Sequence, residues 1–332
     1  MFSFQEIYEL LQGAADDWLF HQAAVVTGSR FGNTALVRAI VEFSSYCQRN
    51  CHYCGLRRAN TRLERYRLSK EEIVLTAVKA AEMGFATVVL QSGEDSTFQP
   101  DDIAEIIGEI TARKSVTVTL SLGQQSYDTL ALWRDAGARR YLLKIETSDR
   151  RLNERYRPGS PLKERLQCLQ HIRDLGYETG SGIIIGLPSG KKDPIAVLAA
   201  DILFLNSLDL DMIAAGPFVP HPQTPLKDAC HGSLQLTHRT QAILRLCNPP
   251  ANIPATSAMD ALSRILTPGD EARERQQALT RSCNVLMEAA ALPAANSRYE
   301  IYPAKTRHTR PFERAKSIIT AAGKTPHLLP SS

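Results

Sequence analysis

AIVEFSSYCQRNCHYC, residues 39–54, joins a short apolar run to three cysteines within eight residues. The run AIVEF reads as a buried strand, and the cysteines follow directly at its end. The same texture recurs downstream. ATVVLQ (86–91), VTVTLSL (116–122), YLLKIE (141–146), GIIIG (182–186) and DMIAAG (211–216) read as further strands. Amphipathic stretches lie between them. Ser69 with Glu72 is a capping-box signature, with Ile73, Ala77 and Ala80 on one face and Gly84 as the stop. After Pro100, Ile103, Ile106, Ile107 and Ile110 follow helical spacing. Further helices are expected near 126–136, with Leu130 and Trp133 apolar, and near 161–175 and 193–206.

Alternation of apolar strands with helices indicates a parallel α/β sheet. Polar residues cluster after successive strands: Cys47–Cys54, then Ser92 to Asp95, then Ser121 and Gly123, then Glu146 and Thr147. A barrel places its site on that C-terminal face, whereas an open sheet concentrates it at one switch point. The expected fold is a (β/α)8 TIM-type barrel in a single domain spanning 1–332. Helices occupy 1–36, with Tyr8, Leu11, Trp18 and Leu19 as packing anchors. The barrel spans 37–290, and an irregular tail, 291–332, closes its mouth and frays at its end.

The 332 residues carry 43% hydrophobic and 22% charged residues and a net charge of +4, which excludes a disordered chain or a coiled coil. The charges are scattered, so neither nucleic acid nor membrane is expected as a partner. No apolar stretch reaches membrane-span length, and the acidic start MFSFQEIYELLQG is unlike a secretory signal, so a cytoplasmic location is expected. Seven cysteines, three of them crowded, argue for metal binding over disulfides. Cys168, Cys230, Cys247 and Cys283 read as ordinary core or surface residues.

Cys47, Cys51 and Cys54 can bind three irons of a [4Fe-4S] cubane and leave the fourth iron open. S-adenosylmethionine (SAM) can chelate that iron through its amino and carboxylate groups. One electron then cleaves the sulfonium to methionine and a 5′-deoxyadenosyl radical. A zinc site is the alternative, with His52 as fourth ligand, although His52 is wedged between two cysteines of one tight loop.

The Cys-x3-Cys-x2-Cys spacing after a first strand, with Tyr53 before the last cysteine, resembles the radical SAM enzymes. Longer strings are similar to the HydE family, radical SAM maturases of the [FeFe]-hydrogenase active-site cluster. They include YCQRNCHYCGLRRAN, RRYLLKIETSD, YRPGSPLKERLQCL, LGYETGSGIIIGLP, GPFVPHPQTPL and NIPATSAM. The resemblance runs from about 15 to 260. It implies a SAM site at Tyr53, Ser92, Gly93, Glu94, Ser121, Glu146, Arg165 and Met212, with Met287 nearby. It implies a substrate cavity at Thr119, Arg140, Lys144, Thr256, Ser257, Tyr299 and Tyr302. Tail tyrosines and methionines that merely pack are the plainer alternative for Tyr299, Tyr302, Met212 and Met287. The implied substrate is an organometallic iron–CO–cyanide–cysteine precursor. The implied partners are the HydG and HydF maturases and a reductant such as ferredoxin or flavodoxin. The tail lacks the three cysteines that some family members use for a second cluster, so one cluster is expected. The family match is weakest over 260–295. The other functions consistent with the residues are a barrel enzyme acting on an organic substrate, close to biotin synthase or methylornithine synthase, and a non-catalytic iron–sulfur or zinc module.

Overall fold

The computed structural model describes residues 2–290, 299–304 and 308–327. Two helices lead in, α1 (Phe4–Gln12) and α2 (Asp16–Phe31). Ser3 and Glu6 form a reciprocal capping box at the start of α1. Leu11 and Leu19 are buried and Tyr8 is half-buried, but Trp18 is exposed and does not anchor the helix. The buried face of α2 is Leu19, Ala23 and Thr27, at i, i+4 and i+8, and Trp18 lies one residue, about 100°, around the helix.

Eight parallel strands follow: β1 (Thr34–Ser44), β2 (Thr87–Ser92), β3 (Thr117–Ser121), β4 (Arg140–Leu142), β5 (Glu178–Ile185), β6 (Met212–Pro217), β7 (Pro254–Ala255) and β8 (Val285–Ala289). They are hydrogen-bonded in the order β6-β5-β4-β3-β2-β1-β8-β7. A single parallel bridge, Met212 to Asn252, closes the ring between β6 and β7. This is the expected (β/α)8 barrel. Strand β1 begins earlier than its apolar run because Arg38, 1% exposed, sits inside the barrel rather than outside it. Strands β7 and β8 are short and carried no apolar run long enough to stand out.

The helices between strands form for the reasons their sequences suggest. Helix α3 (Lys70–Glu82) starts at the Ser69–Glu72 capping box. Helix α4 (Pro100–Arg113) buries Ile103, Ile106, Ile107 and Ile110, each worth about 1.5–3 kcal/mol of apolar transfer. Helix α5 (Tyr127–Asp135) is capped by Ser126 and buries Leu130 and Trp133. Helices α6 (Arg150–Tyr156) and α7 (Leu162–Asp174) both lie between β4 and β5, and α8 (Pro194–Ser207) follows β5. Helices α9 (Leu234–Cys247), α10 (Ser257–Leu266) and α11 (Arg273–Arg281) complete the ring, with α1 and α2 packed on α8 and α9.

The described tail is more regular than expected. It contains α12 (Pro311–Ala321) and β9 (Thr325–His327). Strand β9 pairs with Thr34–Leu36, at the N-terminal end of β1, so this part of the tail covers the barrel floor. Only Tyr299 to Tyr302 reach the mouth among the described tail residues.

A buried ion network ties α12 to the barrel. Arg275, 1% exposed, reaches Asp260 (3.0 Å) and Glu288 (2.7 Å), and Arg314 from α12 reaches the same two carboxylates at 2.7 and 2.6 Å. Burial works against the Arg275 cation, but Asp260 and Glu288 outweigh it and hold the guanidinium charged. Arg275→Met should lower unfolding free energy by about 3–5 kcal/mol in urea titrations, since it strands buried carboxylates. A loss below about 1 kcal/mol would mean that Arg314 alone satisfies both acids.

Candidate active site

The cysteines sit on a loop without regular structure, residues 45–66, between β1 and α3. Such a loop must find partners for its buried backbone groups. Arg65 supplies four: its guanidinium donates to the carbonyls of Ser45, Leu56, Arg57 and Asn60. Asn60 donates to Gly55 O (2.7 Å), and Asn50 accepts from Ala59 N–H (3.0 Å). Gly93 brings the β2 loop against this one. A Cβ there would collide with Tyr46 O and crowd Cys47 Cβ. Gly93 lines the cavity as expected, and its missing Cβ also admits the cysteine loop.

Cys47, Cys51 and Cys54 line one cavity of about 320 Å³ at the C-terminal mouth of the barrel. Burial pushes the Cys47 and Cys54 thiols up, and at Cys54 the neighbouring Cys51 and Cys47 push the same way. Thiols so placed stay protonated unless positive charge joins them. An iron cluster supplies that charge, so the donor set fits a cubane. The zinc alternative needs His52 as fourth ligand, and His52 does not line the cavity that the three cysteines share.

The rest of the cavity sets polar and charged groups into a largely apolar wall. Tyr53, Ser92, Gly93, Glu94, Ser121, Glu146 and Arg165 all line it, as do Lys144, Thr256, Ser257, Met287, Tyr299 and Tyr302. Glu94 is paired with Arg49. Ser257 Oγ lies 2.6 Å from the Tyr302 hydroxyl, and Gln91 donates to the Tyr299 hydroxyl (3.4 Å). Thr256 Oγ1 is buried without a hydrogen-bond partner, an orphaned group at the cavity wall.

Glu146 is held by an interrupted strand. The apolar run 141–146 suggested one continuous strand, but β4 stops at Leu142 and the pairing with β5 resumes only at Glu146, whose φ is +69°. Side chains take the intervening carbonyls instead. Ser181 donates to Leu143 O (2.9 Å), Arg165 to Lys144 O and Asn153 to Ile145 O (2.6 Å). A left-handed glutamate costs about 1–3 kcal/mol, and these bonds offset it. Lys144 Nζ lies 2.9 Å from the Glu146 carboxylate. On the far side, Asp201 accepts from Ser148 N–H (2.6 Å), Ser148 Oγ (2.6 Å) and Thr147 Oγ1 (3.1 Å).

Three expected site residues lie elsewhere. Arg140 and Met212 are the first residues of β4 and β6, so they sit at the barrel floor. Arg140 pairs with Glu178 and reaches Thr87 Oγ1 (3.0 Å). Met212 Sδ lies 3.0 Å from the buried Arg38. Thr119 points inward like Ser121 but one layer lower, wholly buried below the cavity. Two charged lining residues carry no signal in the sequence. Arg157, 5% exposed, donates to the Tyr53 hydroxyl (2.9 Å), and Arg49 pairs with Glu94. Burial opposes the Arg157 cation, but Tyr53, Cys51 and Glu146 hold it charged; Arg165 is lowered by burial and then by Arg157.

A parallel barrel with three cysteines and a ring of paired charges at its mouth is the design of a radical SAM enzyme, and the Radical SAM superfamily model matches residues 41–202. Such enzymes carry an iron–sulfur cluster and SAM. The HydE subunit of the [FeFe] hydrogenase maturase from Thermotoga maritima is 42% identical over 287 residues, 86% of this chain and 79% of that protein. The chain belongs to the HydE family. The 3-methylornithine synthase of Methanosarcina acetivorans is 30% identical over 246 residues, 74% of this chain and 69% of its own. The barrel superposes on the crystal structure of methylornithine synthase (PylB) with TM-score 0.83 at 24% identity, covering 98% of this chain and 94% of that one. It also superposes on the maturase HydG from Carboxydothermus hydrogenoformans, with TM-score 0.80 at 20% identity, covering 99% and 77%. Among the described residues no helix is long and apolar enough to cross a membrane.

Burial raises the Asp201 carboxyl from 3.8 to about 6. These three donors all meet Oδ1, so Oδ2 can take a proton without losing them. Because the folded-state pKa is raised, the stability contributed by this acid is full below pH 4 and is lost as pH rises through 6. Asp201→Asn should therefore gain on the wild type between pH 4 and 7, by about 3 kcal/mol at most, in urea titrations. A gap independent of pH would contradict this.

Proposed function

We propose that this chain binds one [4Fe-4S] cluster on Cys47, Cys51 and Cys54 and cleaves SAM reductively. It then directs the radical at an organometallic iron–CO–cyanide–cysteine precursor during [FeFe]-hydrogenase assembly. The observation that carries the first part is the convergence of three thiols, Glu94, Glu146, Arg157 and Arg165 on one cavity. A cluster held by Cys47, Cys51 and Cys54 would supply the electron that breaks the sulfonium bond and a metal able to take the amino acid end of SAM. The protein's own groups do the positioning. SAM brings a carboxylate, an ammonium and a sulfonium, so a wall carrying both carboxylates and guanidinium groups can orient each end. Tyr53, fixed by Arg157, packs beside Cys51 and limits water at the cluster edge.

The HydE identity, 42% over most of the chain, supports the precursor as substrate and HydG and HydF as neighbouring maturases. The further lining groups Lys144, Thr256, Ser257, Tyr299 and Tyr302 suit an anionic, amino-acid-bearing substrate. The similarity to 3-methylornithine synthase supports a second reading, an amino acid carbon skeleton as substrate. The Ser257–Tyr302 pair gives the test its handle.

Anaerobic reconstitution should give close to four irons per chain, as one cubane requires. Cys47→Ala, Cys51→Ala or Cys54→Ala should abolish the cluster, and Cys168→Ala should keep it; eight irons would reveal a second cluster. Glu146→Ala and Arg165→Ala should keep the iron but weaken SAM binding by roughly ten- to a hundredfold, the loss of one charge-assisted contact. Tyr302→Phe should leave dithionite-driven SAM cleavage within about twofold of wild type, yet lower the yield of active hydrogenase in a maturation assay. Wild-type protein that cleaves SAM but never supports maturation would favour the carbon-skeleton reading.

A further inference from the structure

The cysteine loop is unusually basic: residues 49–67 hold six arginines and one acid, Glu64. Three of the arginines are consumed by the fold. Arg49 pairs with Glu94 and donates to Gly159 O (3.1 Å). Arg65 gathers the loop carbonyls. Arg67 pairs with Asp95 (2.6 Å) and lies over the Tyr46 ring, 3.5 Å from its centroid. The other three, Arg57, Arg58 and Arg62, have no carboxylate partner among the described residues. Arg58 and Arg62 are exposed, and Arg57 is half-exposed, touching only Asn50 Oδ1 at 3.4 Å.

Arg57 lies within electrostatic reach of Cys51 and Cys54. His52, between those cysteines, feels both Arg57 and Arg155. The backbone explains the last contact: His52 N–H donates to Tyr156 O (2.9 Å), which sets the end of α6 against the loop. Arg155 is exposed and has no carboxylate partner among the described residues, its neighbour Glu154 being taken by Arg150. None of Arg57, Arg58, Arg62, Arg155 or His52 lines the cavity. Their charge is therefore not spent on SAM or on a substrate inside the barrel. Arg58, Arg62 and Arg155 are exposed to solvent, and Arg57, Arg58 and Arg62 stand on the cysteine loop itself.

We propose that this basic surface, built from Arg57, Arg58, Arg62 and Arg155 around His52, docks a small acidic one-electron carrier protein that feeds the cluster. The inference rests on the radical SAM reading, because only an enzyme that cleaves SAM reductively needs the electron. One electron leaves the reduced carrier and enters the cluster for each sulfonium bond broken. Exposed cations without partners repel one another, and an acidic partner relieves that repulsion when it docks. The site is also short-range by construction: the loop that presents the charges is the loop that binds the iron.

The holoenzyme with Arg58→Glu, Arg62→Glu and Arg155→Glu combined tests this, beside the same three changed to Gln. The probe is an acidic flavodoxin, reduced to its hydroquinone. Its Kd is measured by titration at low and moderate salt, and cluster reduction is followed after rapid mixing, with dithionite as the small-molecule control. The wild type should bind more weakly as salt rises. The Glu variant should bind at least about tenfold more weakly at low salt, and the Gln variant should fall between. Dithionite should reduce all three within about twofold of one another. A flavodoxin Kd within about twofold of wild type in the Glu variant overturns the docking surface. So do equal losses with flavodoxin and dithionite. A wild-type protein whose reduced cluster never cleaves SAM would instead sink the radical SAM reading, and the Kd values would still stand.

Discussion

Four carbonyl oxygens of the cysteine loop converge on the guanidinium of Arg65, and the site depends on that convergence. The loop has neither helix nor strand between Ser45 and Tyr66, so its carbonyls need partners from side chains; of those four, only Arg57 O also accepts from a backbone group, Asn60 N–H (3.0 Å). The loop is then pinned at two points. Gly93 lets the end of β2 lie against Cys47, and Gly93 N–H donates to Ser44 O (3.1 Å). In its middle Gly55 N–H donates to Ile301 O (2.9 Å), which brings the tail tyrosines over the cavity. The cluster loop, the second-strand loop and the tail thus form one packed unit at the barrel mouth.

The cavity is a place where charges are buried together rather than excluded. Glu94, Glu146, Arg157 and Arg165 line it, and each has a polar partner. Burying charge is costly unless it is compensated. Here the wall is mixed in sign, which suits a ligand that is itself a zwitterion with an added cation. The interrupted β4 shows the same logic at the level of backbone. Three carbonyls give up the ladder so that Glu146 can turn its carboxylate into the cavity.

Much of this was legible in the sequence because strand ends carry their polarity visibly. Cys47, Glu94 and Glu146 each follow an apolar run, and the barrel puts all three at one mouth. What strand alternation does not reveal is height. Thr119 and Ser121 share a face, but only Ser121 reaches the cavity; Arg140 and Met212 look like site residues until their strands are seen to begin there. Buried arginines were equally hidden. Arg157 and Arg49 read as surface charge, because only their partners, Tyr53 and Glu94, reveal where they point. The arginines of the cysteine loop likewise read as part of a scattered charge pattern. Their sorting into structural and outward-facing groups needs coordinates.

The claim on which the account turns is that the cysteines leave one iron open to SAM inside this cavity. Its most direct test is hyperfine spectroscopy on the reduced protein with SAM labelled at its methionyl nitrogen. The account predicts a nitrogen coupling to the cluster that appears with SAM and vanishes without it. A reduced cluster whose spectrum is indifferent to SAM would contradict it.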